Sequence, residues 1–145
     1  MWQVKPFAEL TATEYFECLK LRVKTFVVDQ NRVYQEVDDN DLKAVHIFNQ
    51  VDDQVVAYAR VFQTHAQTVT FGRVVTDDAH RGTGMGNDLM HQIMTVVQQD
   101  FPDLTISIEA QVQVQGYYRK FGFETEGDTF IFNSTPHIKM VHSAL

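Results

Sequence analysis

The spacing of apolar residues changes along the chain, and each change marks an element. Trp2–Lys5 carries a short strand pattern. Between Leu10 and Gln30, Phe16, Leu19, Val23, Phe26 and Val27 recur at helical spacing, which predicts one helix with these residues on its apolar face. Thr11 followed by Glu14 fits a capping box at its start. Asn31–Asp41 is polar and reads as a loop. Three β-rich runs follow, Ala44–Gln50, Gln54–Phe62 and Thr68–Thr76, with short turns between them. Their spacing predicts an antiparallel meander. Met85, Leu89, Ile93, Val96 and Val97 share one face of a helix predicted over Gly84–Gln99. Leu104–Ala110 is the next strand. Val112–Phe121 fits a short helix closed by Gly122. Phe123–Gly127 and Pro136–His142 are late strands. This order, β-α-β-β-β-α-β-α-β-β, predicts an α/β fold on a mixed sheet.

Composition narrows the class of protein. At 145 residues the chain has the size of one domain, expected to span residues 1–145. With 44% hydrophobic and 12% aromatic residues it has the makings of a core rather than of a disordered chain. A net charge of -7 argues against nonspecific nucleic-acid binding and favours a small-molecule or cationic partner. Cys18 is the single cysteine, so neither a disulfide framework nor a thiolate metal cluster is expected. The first residues lack a basic start followed by an apolar stretch, and no apolar run approaches the roughly 20 residues of a membrane span. The expectation is a cytoplasmic protein, monomer or homodimer, with neither membrane nor nucleic acid as partner. The acidic run fails as a calcium loop: from Asp38 the pattern reaches Asn40 and then Leu42, without the glycine. No His-Glu-x-x-His pattern occurs, and no metal is expected.

Three glycines, Gly82, Gly84 and Gly86, stand between the third strand of the meander and the following helix. A dinucleotide fingerprint needs a third glycine where Asn87 stands, and a Walker loop needs a lysine that is absent after Gly86. Arg81, Gly84 and Gly86 match Arg-x-x-Gly-x-Gly. Such a loop can cradle an anion, because glycine permits positive φ and close approach, and the next helix offers unpaired N–H groups. Spacing alone leaves a plain strand-to-helix turn equally open.

That loop, followed about 30 residues later by Tyr118, Gly122 and Phe123, resembles the paired motif of the GNAT N-acetyltransferase family. Segments from the first helix to the last strand, over about residues 2–142, are similar to its small bacterial ElaA-type branch. The resemblance implies a mixed, mostly antiparallel central sheet flanked by helices, and acetyl-CoA as acyl donor. It puts the main chain of Arg81, Gly82, Thr83, Gly84, Met85, Gly86 and Asn87 on the diphosphate. Main-chain groups of Val74, Val75 and Thr76 would run beside the pantetheine arm, with the N–H of Val75 or a neighbour as oxyanion donor. Tyr118 would be the general acid at the sulfur. Gln111 and Val114 stand where many relatives carry Asn and a small residue; Gln111 keeps the amide. The implied reaction is acetyl transfer to a primary amine of a small molecule or peptide. A noncatalytic acyl-CoA-binding or sensing module is the alternative.

No local pattern names the base. Glu109, at a strand end, can act through water; Glu36, Asp38, His46 and His137 are the other proton carriers considered. Val56, Tyr58, Arg60 and Phe62 share one strand face by alternation, Arg73 follows in the next strand, and Arg22 lies one helical turn from Phe26. Arg22, Phe26, His46, Arg60 and Arg73 are therefore the candidate acceptor residues. The three arginines suit a substrate carboxylate, and suit equally well pairing with the acidic run.

Overall fold

The computed structural model describes residues 1–145, and the predicted order of elements is present. The strands are β1 (Trp2–Pro6), β2 (Val45–Val51), β3 (Gln54–His65), β4 (Thr68–Thr76), β5 (Thr105–Gln111), β6 (Glu124–Phe132) and β7 (Thr135–His142). The α-helices are α1 (Ala12–Arg22), α2 (Asn40–Lys43), α3 (Met85–Asp100) and α4 (Gln115–Arg119). All seven strands form one sheet in the order β1-β2-β3-β4-β5-β7-β6. Every neighbouring pair is antiparallel except β4 with β5. The architecture is thus the expected mixed, mostly antiparallel sheet flanked by helices. No helix is long and apolar enough to cross a membrane.

Alternation along the strands divides the core between two faces. Ile47, Ala57, Ala59 and Val61 pack with Leu89, Met90, Ile93 and Val97 of α3. Phe48 and Tyr58 point the other way and pack with Cys18 and Leu21 of α1 and with Val75. Fully buried residues such as Leu89, Met90 and Ile93 each contribute about 1.5–3 kcal/mol through lost apolar exposure.

Four details depart from the sequence expectation. The first helix does not stay regular: beyond α1 it widens into a π-helical segment over Val23–Asp29, continued by the bonds Gln30 N–H to Thr25 O and Arg32 N–H to Val27 O. Its buried stripe is also displaced. Cys18, Leu21, Arg22 and Thr25 face inward, whereas Phe16 and Val23 are exposed. Apolar spacing misplaces this face because a charged residue sits at the centre of the buried one. The polar loop ends in the short α2. Finally, β3 and β6 run on to His65 and Phe132, past the expected ends at Phe62 and Gly127, because the ladder continues through mostly exposed residues.

The capping box of α1 is formed in full: Glu14 N–H donates to Thr11 Oγ1 (3.0 Å), and Thr11 N–H donates to Glu14 Oε1 (2.9 Å). Thr11→Ala is expected to cost about 1 kcal/mol and to lower the thermal midpoint by about 2–4 °C, measured by calorimetry.

Candidate active site

The parallel pair β4–β5 is short. Thr68 pairs with Thr105 and Val69 with Ile106, and then the strands separate. Within β4 the ladder to β3 also changes step. Gly72 stands opposite Arg60 and Val75 opposite Tyr58, so Arg73 and Val74 face Ala59 alone. This is a β-bulge, and Arg73 carries it with a left-handed φ of +53°. The conformation costs a non-glycine residue about 1–2 kcal/mol. It reverses the phase of the side chains: Phe71 and Val74 pack toward the α3 face, and Val75 toward α1. Downstream, Asp77 N–H donates to Val56 O (2.8 Å). Strand alternation therefore turns the amide of Val75 to β3 and that of Val74 into the gap. Val74, the neighbour, is thus better aimed than Val75 to donate there.

At the end of this gap the chain makes a turn and enters α3. Gly82 and Gly84 adopt φ of +75° and +86°, and a Cβ on either would meet no atom of the protein within 4 Å. Glycine is needed here for the backbone angle, on the side of the loop that faces open space. Gly84 caps α3 without any side-chain acceptor, and the first intrahelical bond runs from Asp88 N–H to Gly84 O. The N–H groups of Met85, Gly86 and Asn87 precede it, so they and the positive end of the helix dipole suit an anion. Arg81 is committed locally: its N–H bonds Asp78 O (3.3 Å) and its exposed guanidinium pairs with Asp78 (3.0 Å). The Asn87 side chain accepts from Tyr117 (3.2 Å), which ties α4 to the start of α3.

Tyr118 lies on α4 between Phe71 of β4 (ring centroids 6.0 Å) and Phe123 (6.1 Å). Its hydroxyl has no hydrogen-bond partner in the chain. Burial, then the neighbouring Tyr117, push its pKa up to about 12, so it remains a donor at any working pH. The cleft that Tyr118 lines has a volume of about 1500 Å³ and runs from the gap to the far side of the sheet. Glu109 lines it from β5, exposed and without an ion-pair partner; Lys139, opposite it on β7, pairs instead with Glu126 (3.2 Å). Gln111 lines the cleft and accepts from Gln113 (2.5 Å). His137 lines it too, with Nδ1 donating to Thr135 O (2.8 Å), which leaves Nε2 as an acceptor.

The three arginines pair with the acidic run. Arg22, fully buried, donates Nε to Glu36 (2.7 Å) and Nη1 to Asp41 (3.1 Å). Arg60 binds Asp38 (2.6 Å) and Asp41 (2.8 Å), and Arg73 binds Glu36 (2.9 Å). Burial alone would raise the Asp41 carboxyl; Tyr15, Arg22 and Arg60 overcome it and hold the pKa below the usual carboxylate range. Asp38 is lowered in the same way, with burial outweighed by Arg60 and Arg73. His46 has Nε2 on Asp41 O (2.8 Å) and Nδ1 on the Tyr58 hydroxyl (2.6 Å). A carbonyl only accepts, so Nε2 carries the proton and Tyr58 donates to Nδ1. Burial lowers the pKa of His46, against an opposing pull from Asp41.

The structure brings together on one cleft Val74, Val75, Thr76, Arg81, Gly86, Glu109, Gln111 and Tyr118, with Phe26, Arg60 and Arg73 at its other end. Gly82, Thr83, Gly84, Met85 and Asn87 continue the loop outside this wall. Arg22 and His46 do not reach the cleft; both are buried beneath it. Sequence reasoning missed Tyr34, a cleft residue whose ring has the guanidiniums of Arg32 (5.0 Å) and Arg73 (5.5 Å) over it. The available signal was a single aromatic inside an otherwise polar loop.

A family model described as an acetyltransferase (GNAT) domain matches residues 12–144. The chain is 32% identical over 148 aligned positions to protein ElaA of Escherichia coli, covering 99% of this chain and 97% of that one. The crystal structure of E. coli ElaA superposes with a TM-score of 0.93 at 33% identity, covering 99% of both chains. An acyl-CoA N-acyltransferase from Pseudomonas aeruginosa superposes equally well, with a TM-score of 0.93, 34% identity and 99% of both chains covered. The fold alone is shared with BjaI, a CoA-dependent acyl-homoserine lactone synthase solved with SAM and isopentyl-CoA (TM-score 0.78, 13% identity, 100% and 83% coverage).

Three outcomes follow from this geometry. Asp41→Asn strips two buried arginines of a partner and should cost about 3–5 kcal/mol in denaturant unfolding. In the parent protein, stability should fall with pH in two stages. Unfolded His46 takes up a proton below about 6.5 while the folded one resists it; Asp38 and Asp41 lose their depressed ionisation advantage only below about 4. Thermal midpoints measured against pH should show both, and His46→Gln should remove the first. Gly86→Asp tests the cradle. An acidic side chain in the first helical turn favours the helix by about 0.3–1 kcal/mol, so folding should hold. If the turn cradles an anion such as the diphosphate of coenzyme A, affinity for that ligand, read by calorimetry, should nevertheless fall roughly tenfold or more.

Proposed function

This chain belongs to the GNAT acetyltransferase family, in its ElaA-type branch, and on that premise we propose that it moves an acetyl group from acetyl-CoA to the primary amine of a small molecule or peptide. The observation that carries this reading is the gap between β4 and β5. It opens beside the unpaired N–H groups at the start of α3, and Tyr118 stands on its wall.

In this reading, Gly82, Thr83, Gly84, Met85, Gly86 and Asn87 hold the diphosphate by main-chain N–H groups, with the Arg81 side chain nearby. Val74, Val75 and Thr76 offer backbone groups to the pantetheine arm, whose amides resemble those of a strand. Gln111 supplies a side-chain amide from the opposite strand. Acetyl-CoA, when bound, would supply an activated thioester carbonyl. The Val74 N–H stabilises the negative charge that develops on the carbonyl oxygen when a neutral amine attacks. Glu109 takes the proton that the amine loses, through water. Tyr118 hydrogen-bonds the sulfur as the C–S bond breaks and protonates it. A free thiol ionises near pH 8.5, so a hydroxyl at about 12 donates late, as charge builds on the sulfur. The products are the amide and the free thiol, and the proton taken by Glu109 returns through solvent to Tyr118. Phe26, Arg60 and Arg73 shape the acceptor end; Arg22 and His46 support it from beneath.

Titration with acetyl-CoA, ATP and NAD tests the donor: acetyl-CoA should bind and the nucleotides should not. Longer acyl-CoA esters in the same titration test the preference for acetyl. Thiol release with a panel of amines tests turnover; binding without release from any amine would favour the sensing module. Tyr118→Phe should lower kcat on the order of 10²-fold while the KM for acetyl-CoA changes little. The rate should rise with pH as the amine deprotonates, and Tyr118 should impose no falling limb below its pKa of about 12.

A further inference from the structure

The bulge in β4 is carried by an arginine, although Gly72 precedes it and has no positive φ. An L residue stays in the left-handed region only where its surroundings hold it there. Arg73 is held by its own side chain. Its Nε donates to Glu36 Oε2 (2.9 Å) and its Nη2 to Glu36 O (3.1 Å). Arg22, in the last turn of α1, grips the same two atoms, with Nε on Oε2 (2.7 Å) and Nη2 on the carbonyl oxygen (3.2 Å). The Tyr34 hydroxyl donates to the remaining oxygen, Oε1, and its ring lies against the Arg73 guanidinium. Glu36 is 4% exposed and takes no part in the cleft wall. The other acids do not duplicate this link. Asp41 bonds Arg22 and Arg60 but not Arg73, and Asp38 reaches Arg73 only at 3.5 Å.

We propose that Glu36 is a positioning residue for acyl transfer: by clamping Arg73 to Arg22 it fixes the β4 bulge and keeps the Val74 N–H aimed into the gap between β4 and β5. The inference rests on the acyl-CoA reading of the site and adds to it a residue outside the cleft. Glu36 contacts neither donor nor acceptor; it acts through the Arg73 side chain, which sets the backbone angle, which turns the next amide. A bulge left to glycine would have no such anchor. It would then exchange between orientations, and an oxyanion donor is useful only where it is already aimed.

The test reads the amide itself and needs no known acceptor. Amide NMR of the full chain is recorded with acetyl-CoA and with S-ethyl-CoA, a thioether of similar size that lacks the carbonyl oxygen. The Val74 N–H of the parent should shift with acetyl-CoA and much less with S-ethyl-CoA. In Glu36→Gln and in Arg73→Gly that difference should collapse, while affinity for S-ethyl-CoA stays within about threefold. Arg73→Gly keeps the left-handed angle accessible and carries the test if Glu36→Gln fails to fold. The double variant should match Arg73→Gly alone. Asp41→Asn, which opens the same buried cluster without touching Arg73, should keep the difference. A carbonyl-dependent Val74 shift that persists in folded Glu36→Gln or in Arg73→Gly overturns the proposal, as does its absence in a parent that binds both ligands. A parent that binds neither ligand overturns the acyl-CoA reading, and this inference with it.

Discussion

A parallel strand pair that separates after two residue pairs leaves main-chain donors and acceptors facing an opening in the middle of a sheet. Interior backbone groups need partners, and an interior edge without them is costly. The rest of this fold is arranged around that opening. The bulge in β4 turns an amide toward it, the glycine turn delivers the start of α3 to one end, and α4 brings Tyr118 in from the end of β5. The β6–β7 hairpin lies on the far side of β5, so the break falls inside the sheet and not at its border. An extended ligand with amides of its own completes such an opening by the logic of strand addition. The candidate site and the opening in the sheet are here the same feature.

A second constraint holds the other end of the cleft. The segment between the π-helical turn and β2 has little apolar material to dock with: Val33 and Val37 are exposed. It is fixed instead by Glu36, Asp38 and Asp41 against Arg22, Arg60 and Arg73. Buried ion pairs seldom add net stability, because desolvation offsets the attraction, but an unpartnered member is heavily penalised. The cluster therefore specifies one arrangement of this segment more than it strengthens the fold. Its pairing also leaves the arginines short of free donors for a substrate carboxylate. Its members at the cleft wall are the partly exposed Asp38 and Arg73 and the buried Arg60.

How much of this was legible depended on how local the cause was. The capping box at Thr11 and Glu14 is a four-residue pattern, and it formed. The α3 face of Leu89, Ile93, Val96 and Val97 is set by helical period alone, and it is buried. The first helix misled, because its inward stripe is centred on Arg22, whose burial depends on acids 14 and 19 positions away. Pattern reading counts charge as exposed and rotates the face accordingly. The glycine loop showed a capacity for positive φ, which Gly82 and Gly84 use. The bulge showed no such sign, since its positive φ falls on Arg73 rather than on Gly72.

By itself the sequence determined the order of elements, the helix caps, the apolar face of α3, and the paired glycine and Tyr118 motifs that mark the family. These rest on bonds and periodicities spanning a few residues, or on motifs readable as letters. Only the tertiary structure decided where β4 parts from β5, which amide of β4 faces the gap, and that Arg22 and His46 lie beneath the cleft while Arg60 and Arg73 reach it. It also set the partners of the arginines: Arg22 pairs with Glu36 and Asp41, Arg60 with Asp38 and Asp41, and Arg73 with Glu36. Each of these depends on contacts between residues far apart in the chain, where the balance of desolvation, pairing and backbone strain is set by which side chains arrive together.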